Sequence, residues 1–108
     1  AAQDGQVILL DEPFSALDAQ TKLLLQNSFG ATIAQSRKTT LLITHDLSEA
    51  VLMSDRILVL SERPGTIVAE INVDLPHRDA PLKRRVLPEV SAYAAELFGH
   101  LKLEEKAA

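Results

Sequence analysis

The chain has 108 residues, enough for one domain with a modest core, and its 46% hydrophobic and 24% charged content is that of an ordinary globular protein. A net charge of −4 argues against a nucleic-acid partner, and the absence of cysteine excludes disulfides and thiolate metal sites. No apolar stretch reaches the length of a membrane span and the first six residues carry no signal-peptide pattern, so a cytoplasmic protein is the simplest expectation.

Val7-Ile8-Leu9-Leu10 is an unbroken aliphatic run that ends in Asp11, Glu12 and a Pro13 turn. Such a run reads as a strand covered on both faces, as in a parallel sheet. Nothing before it supplies a neighbouring strand, which points to part of a larger domain. In open α/β sheets, ligands bind at the C-terminal ends of strands. Two adjacent carboxylates there repel, so a cation, a proton or a substrate dipole is expected beside them. The plainer alternative is two solvated acids at a strand end.

A helix is predicted from Leu17 or Asp18 to Gln35, capped by Asp18 or Ser15. Leu17, Leu24, Leu25, Phe29 and Ile33 share one face by spacing. Asn27, Ser28 and Gly30 weaken its middle, the glycine by about 1 kcal/mol relative to alanine. Ser36-Arg37-Lys38 is a polar connection, and Thr39–Thr44 reads as a second strand. Strand, helix, strand in this order is a βαβ unit, with parallel strands and a right-handed connection. A second helix, Leu47–Ser54, follows at once, with Asp46 and Glu49 arranged like a capping box and Leu47, Ala50 and Val51 facing inward. His45 therefore lies on the same sheet edge as Asp11 and Glu12. A lone histidine is more often a plain loop residue, but its place on the acid-bearing edge favours a role in a site.

Arg56–Leu60 and Thr66–Val73 read as an antiparallel hairpin joined by a turn at Glu62-Arg63-Pro64-Gly65. Asp74–Arg85 reads as an ordered but irregular linker whose Arg78, Lys83, Arg84 and Arg85 form a small basic cluster, read as a solvated surface with a partner contact as the alternative. A last helix from Pro88 to Leu103 carries the stripe Val90, Ala94, Leu97, Phe98 and Leu101, and Glu104–Ala108 are expected to fray.

Asp11, Glu12 and His45 on one edge suit phosphate-ester or phosphoanhydride chemistry. One carboxylate can hold Mg²⁺, usually through water. Its neighbour can orient and deprotonate an attacking water. The histidine can donate a hydrogen bond to the transferring phosphoryl group. Spacing alone does not separate this from other acid–histidine arrangements.

Three segments carry a family resemblance. Val7–Pro13, Ser15-Ala16-Leu17-Asp18 and Ile43-Thr44-His45-Asp46 resemble, in order and spacing, the Walker B strand, D-loop and switch histidine of an ABC-type ATPase. Ser48-Glu49-Ala50 and Ser54–Leu60 are similar to transporter ATP-binding subunits. Arg63–Val68 followed by Val73-Asp74-Leu75-Pro76 is similar to importers of the nitrate/sulfonate/taurine group. The likeness runs from about Gln6 to Pro76.

The resemblance implies an α/β, partial P-loop NTPase-type fold: a parallel βαβ unit, then an antiparallel hairpin and a C-terminal helix. Residues 1–76 would be the C-terminal half of a nucleotide-binding domain and 77–108 a linker and helix. By the same resemblance, Asp11 would bind Mg²⁺ through water and Glu12 would be the general base for ATP hydrolysis. His45 would contact the γ-phosphate and sense its loss. Ser15, Ala16, Leu17 and Asp18 would face a second ATP-binding subunit. ATP and Mg²⁺ would serve the intact domain, which would sit on a membrane-spanning permease at the inner face of the cell membrane.

No Gly-x-x-x-x-Gly-Lys-Ser/Thr phosphate loop occurs in these 108 residues, and the family's glycine-rich signature, glutamine loop and adenine-stacking aromatic are missing too. The expectation is thus part of an ATP-binding subunit, with little or no ATP affinity and no ATPase activity by itself. The alternative is a non-catalytic module that self-associates, or pairs with an intact subunit, through its apolar first strand.

Overall fold

The computed structural model describes residues 7–36, 38–60 and 65–107. In chain order they form β1 (Val7–Asp11), α1 (Ala19–Ser36), β2 (Thr39–Ile43), α2 (Leu47–Met53), β3 (Arg56–Leu60), β4 (Ile67–Asn72), α3 (Pro81–Arg85) and α4 (Glu89–Ala107). β1 and β2 run parallel, with Val7 opposite Thr39 and Asp11 opposite Ile43. β3 and β4 run antiparallel, with a bulge between Val59 and Leu60. The chain is thus α/β, a parallel β1–α1–β2 unit followed by a hairpin and helices. Of the expected hairpin turn, Glu62, Arg63 and Pro64 lie outside the described residues; Gly65 has a φ of +84°, a left-handed conformation that glycine adopts without strain.

The core lies between α2, the inner face of the hairpin and α4. Strand alternation sends Ile57 and Val59 of β3 and Ile71 of β4 to one side, where Val51, Val73 and Leu97 complete the cluster. Leu47, Ala50, Val90 and Tyr93 pack around it. The Tyr93 hydroxyl accepts from the Asp74 N–H at 3.0 Å, tying α4 to the end of the hairpin.

Four expectations are corrected. First, β1 is not covered on both faces. Val7 and Leu9 are about 60% exposed, and Leu41 and Ile43 of β2 extend the same open row. Alternation puts these four on one side of the ladder, and nothing among the described residues packs there.

Second, the apolar stripe of α1 is not its buried face. Leu24, Leu25 and Phe29 are exposed, while Gln26 and Gly30 are buried. A line of Lys22, Gln26 and Gly30, at four-residue spacing, meets α2 and α3: Lys22 and Gln26 bond to side chains at the start of α2, and Gly30 faces α3. A Cβ on Gly30 would come within 2.6 Å of the Pro81 ring, so the glycine that weakens the helix also permits the close approach of α3.

Third, the segment read as an irregular linker contains α3, with Pro81 in its first turn. Its Arg84 is buried to 1% exposure rather than solvated. The guanidinium donates to the carbonyls of Val51, Leu52 and Ser54 at 3.1, 3.4 and 3.0 Å, and to those of Leu75 and Pro76 at 2.9 and 3.1 Å. The last carbonyls of a helix have no partner within it, and Arg84 supplies one for α2. Burial pulls its pKa below the usual value. Arg78, also in the cluster, pairs with Asp55 at 2.8 Å.

Fourth, α4 continues past Leu103 to Ala107, and of its stripe Leu97 is buried whereas Phe98 and Leu101 are exposed.

Candidate functional site

The parallel register of β1 and β2 brings their C-terminal ends to one edge. Glu12 leaves that edge with a φ of +51°, in the left-handed region, where its N–H donates to the Ile43 carbonyl at 2.8 Å. A non-glycine residue there costs about 1 kcal/mol or more, and such strain concentrates at functional sites. The bend leaves Glu12 Oε1 2.5 Å from Nδ1 of His45. His45 is 93% exposed beyond that contact and Glu12 30%. The imidazole thus donates through Nδ1 to the carboxylate and leaves Nε2 for a ligand.

The loop after Glu12 closes on itself. The Ser15 N–H and hydroxyl both donate to the Glu12 carbonyl, at 3.3 and 3.1 Å. Phe14 is buried and meets Phe29 of α1 edge to face, with ring centroids 5.5 Å apart. Of the two cap candidates, Asp18 takes the role: it accepts from the Thr21 N–H and hydroxyl, both at 2.9 Å, and these bonds hold its carboxyl below the usual range. Ser15, Ala16 and Asp18 are exposed and Leu17 is half-buried, so the loop lies at the surface.

On the far side of His45, Asp46 is held by three contacts. Its Oδ1 accepts from the Glu49 N–H at 3.1 Å, the N-cap half of the expected capping box; the reciprocal half is not made, since the Glu49 carboxylate accepts from Gln26 instead of the Asp46 N–H. Its Oδ2 accepts from Lys22 Nζ at 2.6 Å, and its own N–H donates to the Thr44 hydroxyl at 3.0 Å. Partial burial pushes the Asp46 carboxyl upward, but the Lys22 and backbone hydrogen bonds outweigh it and the net shift is down. The bond to Asp46 raises the Lys22 pKa in turn. One helical turn on, Gln26 Nε2 donates to Glu49 Oε1 at 2.9 Å, with both side chains buried.

These groups enclose an open cleft of about 280 Å³ lined by Glu12, Ser15, Lys22, Thr44, His45, Asp46 and Glu49. Asp11 is exposed at the end of β1 and does not line it. Glu12 and His45 are therefore brought together, with Asp11 beside them on the strand end. No cluster of three metal-ligating side chains occurs among the described residues. The sequence reading missed Lys22 and Gln26. Their signal was a four-residue polar spacing on α1, which resembles any solvated helix face until α2 is placed against it.

No protein-family model matches the chain. It is similar to several curated proteins. The aliphatic sulfonates import ATP-binding protein SsuB 1 of Nocardia farcinica is 35% identical over 99 residues, which is 92% of this chain and 38% of that protein. The nitrate import ATP-binding protein NrtD of Synechocystis is 38% identical over 105 residues, 93% of this chain and 40% of that protein. An uncharacterized ABC transporter ATP-binding protein of Bacillus subtilis is 53% identical over 66 residues, 61% of this chain and 25% of that protein. The chain thus spans between a quarter and two-fifths of the length of these relatives.

Proposed function

The chain belongs to the ABC transporter ATP-binding proteins, and from that premise we propose that it supplies the water-activating and γ-phosphate-facing part of the ATP site of an importer. The observation that carries this reading is the Glu12–His45 hydrogen bond at the shared end of two parallel strands. Glu12 is the general base, and His45, with Nδ1 engaged by that base, presents Nε2 to the γ-phosphate. The donors fit the cofactor: Mg²⁺ takes hard oxygen ligands, keeps several waters and needs only one or two carboxylates beside the substrate phosphates. Asp11 would hold it, and when bound it would neutralise charge on the phosphates. The fold is read as part of a P-loop NTPase domain, and the Ser15–Asp18 loop as the face toward a second ATP-binding subunit. The membrane permease is the further partner, which places the assembly at the inner face of the cell membrane. Relatives named for nitrate and sulfonate import suggest a small oxyanion as the transported solute.

These 108 residues hold no glycine-rich phosphate loop, so by themselves they should not turn over Mg-ATP. The test is a chimera in which residues 7–108 replace the matching segment of the Synechocystis NrtD. The chimera should hydrolyse Mg-ATP, and Glu12→Gln should lower kcat by about 100-fold or more. Equal turnover with and without Glu12→Gln would overturn the base assignment. Turnover by the 108-residue chain alone, lost in Glu12→Gln, would overturn its dependence on a partner segment.

A second reading is a non-catalytic module that binds through β1 and β2, to itself or to an intact ATP-binding subunit. The open row of Val7, Leu9, Leu41 and Ile43 favours it, because exposed apolar strand faces invite association.

A further inference from the structure

We infer that Lys22 is a positioning residue that sets the Glu12–His45 pair from α1. In its catalytic meaning this rests on the reading of Glu12 and His45 given above; as a statement about placement it stands on the geometry alone. His45 is exposed and bonds to the fold through one ring nitrogen, so its position depends on the backbone of its two neighbours. Those neighbours are locked to each other by the Asp46 N–H on the Thr44 hydroxyl. Asp46 is locked in turn to α2 by its cap on Glu49 and to α1 by Lys22.

Among the described residues Lys22 is the only lysine or arginine lining the cleft, where it faces the carboxylates of Glu12, Asp46 and Glu49. It spends its shortest contact on Asp46, the residue that adjoins His45. It also lies one turn into α1, with its N–H on the carbonyl of Asp18. A continuous set of bonds therefore runs from the Ser15–Asp18 loop through the first turn of α1 and Lys22 to Asp46 and His45. The buried Gln26–Glu49 bond repeats the connection one turn later and keeps α1 and α2 in register. A displacement of the loop, such as docking of a partner on it, would move α1 and with it the histidine.

The test uses the 108-residue chain and the ¹⁵N spectrum of its imidazoles, with no nucleotide present. At a pH where the ¹⁵N shifts themselves report neutral rings and Lys22, raised above its usual value, keeps its proton, His45 should carry its proton on Nδ1, shared with Glu12. Lys22→Met should make the Nδ1 tautomer the minor one, and Lys22→Arg should restore it. Asp46→Asn keeps an oxygen to cap α2 and removes only the charge that holds Lys22, so it should act like Lys22→Met even if that variant folds poorly. Retention of the wild-type tautomer in Asp46→Asn or in folded Lys22→Met would overturn the inference. Failure of the ATPase reading would appear instead in the Glu12→Gln comparison, independently of this spectrum.

Discussion

Replacing Arg84 by methionine isolates the tie between α3, the end of α2 and the segment after the hairpin. Methionine keeps most of the apolar stem but removes every donor. Five carbonyls then lose their partner: Val51, Leu52 and Ser54 at the end of α2, and Leu75 and Pro76 after the hairpin. A hydrogen bond from a charged donor is worth about 1.5–3 kcal/mol, and a buried acceptor left bare costs about 1–3 kcal/mol. Such terms do not add, and water reaches some of the freed oxygens. The expected loss is therefore about 3–5 kcal/mol, the range for breaking a buried charged network. Against a domain stability of about 5–15 kcal/mol, that brings the chain close to unfolding. Urea unfolding followed by far-ultraviolet circular dichroism would measure it. Arg84→Lys should fall between, since a single ammonium cannot fork to both groups of carbonyls. Lys83→Met, at an exposed neighbour, should stay within about 0.5 kcal/mol of wild type. An Arg84→Met chain as stable as the Lys83→Met chain would refute the clamp and restore the solvated-surface reading.

The Asp46–Lys22 pair has a pH signature. The Asp46 carboxyl is lowered from its usual 3.8, so its contribution to stability is present above that value and is lost as pH falls through the lower folded value. Lys22 is raised from 10.5, so its share persists below that value and is lost as pH climbs through the higher folded one. The stability gap between wild type and Asp46→Asn should accordingly close in acid, and it should stay below about 1 kcal/mol because the carboxylate is about one-third exposed and screened; a gap independent of pH would contradict the pairing. The open apolar row predicts concentration-dependent association by sedimentation, relieved by Leu9→Lys with Leu41→Lys. A strictly monomeric wild-type chain at high concentration would count against the second reading.

What was legible in the sequence was local. The aliphatic run ending in Asp11 and Glu12, and the Thr39–Thr44 run ending in His45, have strand periodicity and share an edge once their parallel pairing is assumed. That shared edge is what brings Glu12 and His45 into contact. The errors come from assuming that apolar means inward. In α1 the apolar residues Leu24 and Leu25 are exposed and Phe29 only leans on Phe14, because α2 and α3 meet the helix at Lys22, Gln26 and Gly30. Arg84 was read as solvent-facing because cations usually are. Its burial depends on carbonyls from two segments converging at one point, and no window of neighbouring residues carries that information.

The corrections meet on α2. This helix has seven residues, too few to persist in water by its own backbone bonds. Both of its ends are held by charged side chains of the sign that the helix dipole favours: an aspartate at the start, an arginine at the finish. Each end is also tied to another helix, the start to α1 through Lys22 and the finish to α3, which carries Arg84. α1 and α3 are joined as well, at Gly30 and Pro81 and by the Leu82 N–H on Asn27 Oδ1 at 3.0 Å. The three helices thus close a ring of pairwise contacts. The C-terminal segment expected to be a linker is therefore part of what holds α2, the helix that follows His45.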